Sequence, residues 1–275
     1  MKNSIRHIWI LILAFALTGC SEYQQLLKSR DPDLKYEKAL VYFDQGKYTR
    51  SQSLLEDVSS YYRGTERAQD VITYLARSYM GMKDYTSAAN YYSNYLKNYP
   101  KGKYAIEARF QIGHCYYLDA PDARLDQTTT EMGIERFTQF VELYPESPYA
   151  HQAYEEMGVL LNRLAYKELL NARLYYNLGT YLGNNYLSAE IVAKNALKNY
   201  PGNDYMEEFS WIIFSSKYQQ MLQSVEEKKL ARAHDADDEY YNFITEYPDS
   251  KHNREAERFH KEIQRLLSNK QHISY

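Results

Sequence analysis

Between Asp70 and Pro100, apolar and small residues recur twice with the period of a helix, and polar residues fill the positions between them. Ile72, Leu75, Ala76 and Tyr79 stand at i, i+3, i+4 and i+7, and Ala88, Ala89, Tyr92, Tyr95, Leu96 and Tyr99 form a comparable stripe. The pattern predicts two amphipathic helices. They are joined by a turn at Gly81-Met82-Lys83-Asp84-Tyr85 and closed at Pro100, because proline disfavours helical geometry in the residue before it. The small residues mark where the two helix axes approach. Upstream, Tyr36, Ala39, Leu40, Tyr42 and Phe43, then Ser51, Leu54, Leu55 and Val58, predict the same pair, with Gly46-Lys47-Tyr48 standing where Lys83-Asp84-Tyr85 stands.

The ending of this hairpin recurs as Tyr-Pro at 99–100, 144–145, 200–201 and 247–248. Four residues before each proline come Leu96, Val141, Leu197 and Ile244; eight before come Tyr92, Phe137, Ala193 and Tyr240; eight after come Ala108, Ala153, Phe209 and Ala256. Leu75-Ala76, Tyr79, Ala88, Tyr92 and Pro100 resemble the large-small pair, aromatic, small residue, aromatic and closing proline of the tetratricopeptide (TPR) repeat, whose period is about 34 residues. One copy would leave an unrelated helical hairpin open; the aligned copies favour the repeat. The prolines are 45, 56 and 47 residues apart, so extra residues must be placed. They are expected in a loop at 119–130 after a helix at 106–118, an added helix at about 149–165, and a charged helical extension or loop at 223–234. A last helix at 252–267 would cap the array with its polar outer face. The expected fold is all-α, a superhelical array of about five TPR hairpins with a C-terminal capping helix.

The N-terminus follows a different pattern. Lys2 and Arg6 precede an apolar run from Ile8 to Leu17, which is too short to span a bilayer and reads as a signal peptide. Leu17-Thr18-Gly19-Cys20 resembles the bacterial lipobox, which implies cleavage before Cys20 and lipidation of its thiol. The alternative is an ordinary secretory peptide with a chance cysteine. Several acyl chains on one residue would anchor the mature protein stably, at about 0.8 kcal/mol per buried methylene. The expected divisions are 1–19 as signal peptide, 20–32 as lipidated tether, 33–145 as repeats 1 to 3, 146–268 as linking helix, repeats 4 and 5 and cap, and 269–275 as tail.

Composition narrows the chemistry. Of 275 residues 31 are tyrosine, so aromatic packing between helices is expected. Removing Lys2 and Arg6 from 33 basic residues leaves 31 against 36 acidic, a net charge of −5, which disfavours a nucleic-acid partner. The seven histidines show no metal-binding spacing, and no phosphate-cradling or zinc motif occurs. Cys115 reads as a small packing residue, and the run Asp235, Asp237, Asp238, Glu239 as a solvated helix start. No enzyme is expected, and no cofactor beyond the lipid on Cys20.

What remains is a surface. Stacked helical hairpins line one face with the first helix of each repeat. The repeat register places Tyr36, Leu40 and Phe43, then Thr73, Arg77 and Met80, then Phe110, His114 and Tyr117 on that face. Aromatic side chains with one cation suit an extended peptide ending in an aromatic residue and a carboxylate. The competing reading makes Tyr36, Leu40 and Phe110 core.

A lipobox followed by about five such units resembles the BamD (ComL) family of outer-membrane assembly lipoproteins. The resemblance covers residues 23–268 and is most telling at Tyr144-Pro145-Glu146-Ser147-Pro148-Tyr149-Ala150 and at Leu164-Ala165-Tyr166-Lys167-Glu168 with Ala172-Arg173-Leu174-Tyr175-Tyr176. In the family that second run opens the fourth repeat; here Tyr181 to Asn185 departs from the pattern as an expanded, irregular stretch, which leaves the helix boundary open between Gly179 and Gly183. It implies a lipoprotein held at the outer membrane and facing the periplasm. Its partners would be the periplasmic domains of BamA, docked by the last two repeats, and unfolded outer-membrane proteins, whose C-terminal signal the first three repeats would receive. The competing classes are a TPR scaffold for envelope or cell-wall enzymes and a SusD-like glycan-binding lipoprotein.

Overall fold

The computed structural model describes residues 22–271, all of whose regular structure is helical. The signal-peptide, lipidation and extreme C-terminal expectations, Cys20 included, lie outside the described residues. In chain order the helices are α1 (residues 22–28), α2 (Pro32–Asp44), α3 (Tyr48–Ser59), α4 (Arg67–Gly81), α5 (Tyr85–Asn98), α6 (Ala105–Asp119), α7 (Thr128–Leu143), α8 (Ala150–Leu178), α9 (Asn185–Asn199), α10 (Met206–Leu222), α11 (Glu226–Glu246) and α12 (Asn253–Gln271). Among the described residues, no helix is long and apolar enough to cross a membrane.

The chain forms two compact units. The first holds described residues 22–120 and 131–156, the second 121–130 and 157–271. In the first, α2 packs on α3, α3 on α4, α4 on α5 and α5 on α6. One core joins Leu26, Ala39, Tyr42, Leu54, Leu55, Val71 and Leu75; the next joins Ala76, Ala88, Tyr92, Tyr95, Ala108 and Ile112. Where helices close in, alanine or glycine stands at the contact. A Cβ built on Gly113 of α6 would meet the Phe137 ring of α7 at 2.7 Å. In the second unit, Ala165, Leu169, Ala172, Ala189, Ala193 and Phe209 form one core, and Phe214, Phe243, Ala256 and Phe259 belong to another.

The repeated turns are the same object built from different residues. Gly46 N–H donates to the Phe43 carbonyl at 2.9 Å and Lys47 N–H to the Tyr42 carbonyl at 2.8 Å, the paired bonds of a Schellman ending, with Gly46 at φ 70°. One repeat later Lys83 takes φ 62° and donates to Met80, while Asp84 N–H donates to Tyr79, both at 3.0 Å. Asp84 then caps the next helix by accepting from Ser87 N–H at 3.0 Å. The Tyr-Pro endings repeat as closely: Tyr99, Tyr200 and Tyr247 have φ/ψ of −134°/64°, −127°/65° and −126°/66°.

Three expectations change. The added helix at 149–165 does not stop before the fourth repeat: it continues as the 29-residue α8. From Ala150 to Leu178 no proline interrupts, and the single glycine, Gly158, is tolerated inside a helix. The run from Asp235 to Glu239 lies in the middle of α11, whose acidic first turn is instead Glu226 and Glu227. The last helix runs past 267 to Gln271. The irregular stretch is real: α8 ends at Leu178, the next residue, Gly179, has φ 56°, and Leu182 has φ 54°.

Candidate peptide-binding face

The three sets of predicted face residues are related by a shift of 37 residues, and the first position is where the structure departs from the expected face. Two of its three residues turn inward. Tyr36 is half-buried with its ring 5.6 Å from Tyr62, while Thr73 and Phe110 are only 1 % and 2 % exposed. Thr73 and Phe110 therefore belong to the core and offer a partner no surface. The second and third positions, Leu40 and Phe43, Arg77 and Met80, His114 and Tyr117, are all half-exposed.

Side chains from neighbouring first helices meet along this face. Phe43 of α2 lies 5.2 Å from Tyr74 of α4, edge to face. The Arg77 guanidinium sits 5.3 Å over both Tyr74 and Tyr104, and forks onto Glu107 of α6. Met80 receives the Cys115 thiol at 3.2 Å. On α6, His114 stacks between Phe110 at 5.7 Å and Tyr117 at 6.0 Å, and its Nδ1 is 2.8 Å from Glu156 Oε2. Phe110 stacks in turn on Tyr149 at 4.9 Å.

Arg77 is thus not an open cation. A ligand carboxylate arriving there must share the guanidinium with Glu107. At the helix starts, Asp33 and Asp70 are engaged alike. Tyr62 Oη donates to Asp33 at 2.7 Å and Arg67 pairs with it, which together hold the Asp33 carboxyl below its ordinary range. Tyr104 Oη donates to Asp70 at 2.7 Å, and Lys103 pairs with it at the same distance. Burial, and then the hydrogen bond to Asp70, push the Tyr104 phenol up. Negative charge in a helix's first turn also suits the helix dipole.

Tyr74, Glu107 and Glu156 are the contacts that reading the sequence missed. Asp33, Asp70 and Glu107 recur every 37 residues, and that acidic periodicity was the available signal. Cys115 is buried, as expected of a packing residue, and burial pushes its thiol up to about 12. Among the described residues no group of three or more His, Cys, Asp or Glu could hold a metal ion.

In the second unit a polar cluster surrounds Glu208. It accepts from Arg173 at 2.7 Å, lies 3.3 Å from His252 Nε2, and pairs with Lys251. Burial opposes its charge, but these hydrogen bonds prevail and hold it at about 2. His252 stacks on Trp211 at 4.6 Å.

Comparison with known proteins follows the same repeats. The family described as YfiO, outer membrane lipoprotein, matches residues 29–184, from the approach to α2 through the turn after α8. The chain belongs to the YfiO family of outer membrane lipoproteins. Among curated relatives, the outer membrane protein assembly factor BamD of Pasteurella multocida is 24% identical over 187 residues, covering 64% of this chain and 71% of that protein. The Caulobacter vibrioides protein of the same name is 25% identical over 179 residues, covering 62% of this chain and 57% of its own length. That of Haemophilus influenzae is 21% identical over 183 residues, covering 63% of this chain and 70% of its own. The helical-repeat architecture of the YfiO family is what the Tyr-Pro endings and Schellman turns build.

Proposed function

We propose that this YfiO-family chain is a non-enzymatic assembly factor for outer-membrane β-barrel proteins, anchored at the outer membrane by lipid on Cys20 and facing the periplasm. Membership of the family over more than half the chain carries this reading, and the names of its curated relatives supply the process. The half-exposed residues Tyr36, Phe43, Arg77, Met80, His114 and Tyr117 would receive the C-terminal signal of an unfolded substrate. The aromatic rings supply contact area, and the Arg77–Glu107 pair opens to admit the terminal carboxylate. The last two repeats would dock the periplasmic domains of BamA. Gentle solubilisation of native outer membranes and affinity capture of the chain test the reading. Recovery of BamA in stoichiometric amount is expected. Recovery of cell-wall enzymes without BamA would replace the assembly role with an envelope scaffold.

A further inference from the structure

Away from the candidate face, the first unit contains a cleft of about 80 Å³ lined by α5, α6 and α7. Its walls are Leu96 from α5, Arg109 and Ile112 from α6, and Arg136, Phe140 and Leu143 from α7, with Gln139 at the edge. Two cations share this apolar space, and neither is neutralised. Arg109 Nε is buried and donates to nothing; its guanidinium rests 5.9 Å over the Tyr144 ring. Arg136 Nη1 reaches only the Gln139 amide oxygen, at 3.2 Å. Among the described residues no carboxylate pairs with either, whereas Arg67 and Arg77 of the same unit both hold one. A buried, unpaired guanidinium N–H is costly and points to a missing acceptor. Leu143, at the mouth, is 61 % exposed, so the apolar lining runs out to the surface.

We propose that this cleft binds an anionic amphiphile, a carboxylate or phosphate head on an acyl chain. Two guanidinium forks match a planar or tetrahedral oxyanion, and Leu96, Ile112, Phe140 and Leu143 take the first methylenes. A polypeptide fits less well. All seven lining residues lie inside helices, whose backbone N–H groups are already bonded, so a peptide main chain finds no donor except the side chains. An acyl chain has no polar groups beyond its head to satisfy.

The test uses the full chain in neutral maltoside micelles and a photoactivatable dodecanoic acid, with the matching alcohol as control. A second arm presents the same acyl chain as phosphatidic acid in phosphatidylcholine vesicles, which separates a free amphiphile from a bilayer lipid. The acid is expected to label α7 at least tenfold more than the alcohol, and Arg109→Gln with Arg136→Gln should abolish the difference. Leu143→Glu, at an exposed position compatible with folding, should also abolish it by placing a carboxylate in the lining that both arginines share. Equal labelling by acid and alcohol, or labelling that survives Leu143→Glu in a folded protein, would overturn the proposal. Displacement of the probe by an equimolar peptide ending in phenylalanine would overturn it in favour of a polypeptide ligand.

Discussion

Arg77 and Glu107 face each other across α4 and α6 as a fork of three hydrogen bonds: Arg77 Nε is 2.9 Å and Nη2 2.7 Å from Oε1, and Nη2 is also 2.7 Å from Oε2. Both side chains are partly buried, and Arg77 is sandwiched by Tyr74 and Tyr104. Arg77→Ala is expected to cost about 1–3 kcal/mol in urea unfolding, because Glu107 is left without its partner. The double variant with Glu107→Ala should cost clearly less than the two single losses together. Strict additivity would mean that the pair is not coupled.

Lys83 occupies the left-handed turn position that Gly46 occupies one repeat earlier. A side chain there costs about 1 kcal/mol relative to glycine. Lys83→Gly should therefore raise the midpoint of thermal unfolding by a few degrees, and Gly46→Ala should lower it by a similar amount. Calorimetry of the two variants checks both signs.

Gly113 is held by a steric contact. Alanine is the better helix former by about 1 kcal/mol, yet its methyl group would press on the Phe137 ring. Gly113→Ala is expected to destabilise by about 1–3 kcal/mol despite the propensity gain. Adding Phe137→Leu should restore part of the loss in chemical denaturation.

Glu208 sets a pH dependence. Its carboxyl titrates near 2 when folded, below the ordinary value of 4.5, so the stability it contributes is fully present above about pH 4.5 and lost as pH falls toward 2. The groups facing it are Arg173, Lys251 and His252. With allowance for solvent screening, the loss is about 1–2 kcal/mol. Stability measured from pH 5 down to 2.5 should fall less steeply in Glu208→Gln than in the parent chain.

Much of the fold was legible because it repeats. Helical periodicity placed Leu75, Ala76, Ala88 and Tyr92 in a core where all four are buried, and the Tyr-Pro copies became helix endings of one geometry. The length of α8 was not legible: nothing in residues 150–178 marks where a linking helix would give way to a repeat helix, and the backbone does not break. On the candidate face, the register found the helices and their half-exposed positions. It could not separate Thr73 and Phe110, which turn inward, from Arg77 and His114, which do not, because burial at one helix position depends on the neighbouring helix. Arg77's partner was hidden for the same reason. Glu107 stands 30 residues away, beyond any local pattern, and only the packing of α4 beside α6 brings it near.

The central claim is a role in assembling outer-membrane barrels, and depletion tests it most directly. The chain is placed under a repressible promoter, and outer-membrane proteins are quantified by mass spectrometry as it disappears. The account predicts that many unrelated β-barrel proteins fall together, before growth stops, while lipoproteins without a barrel hold their levels. Barrel proteins that keep their normal abundance after depletion would contradict it.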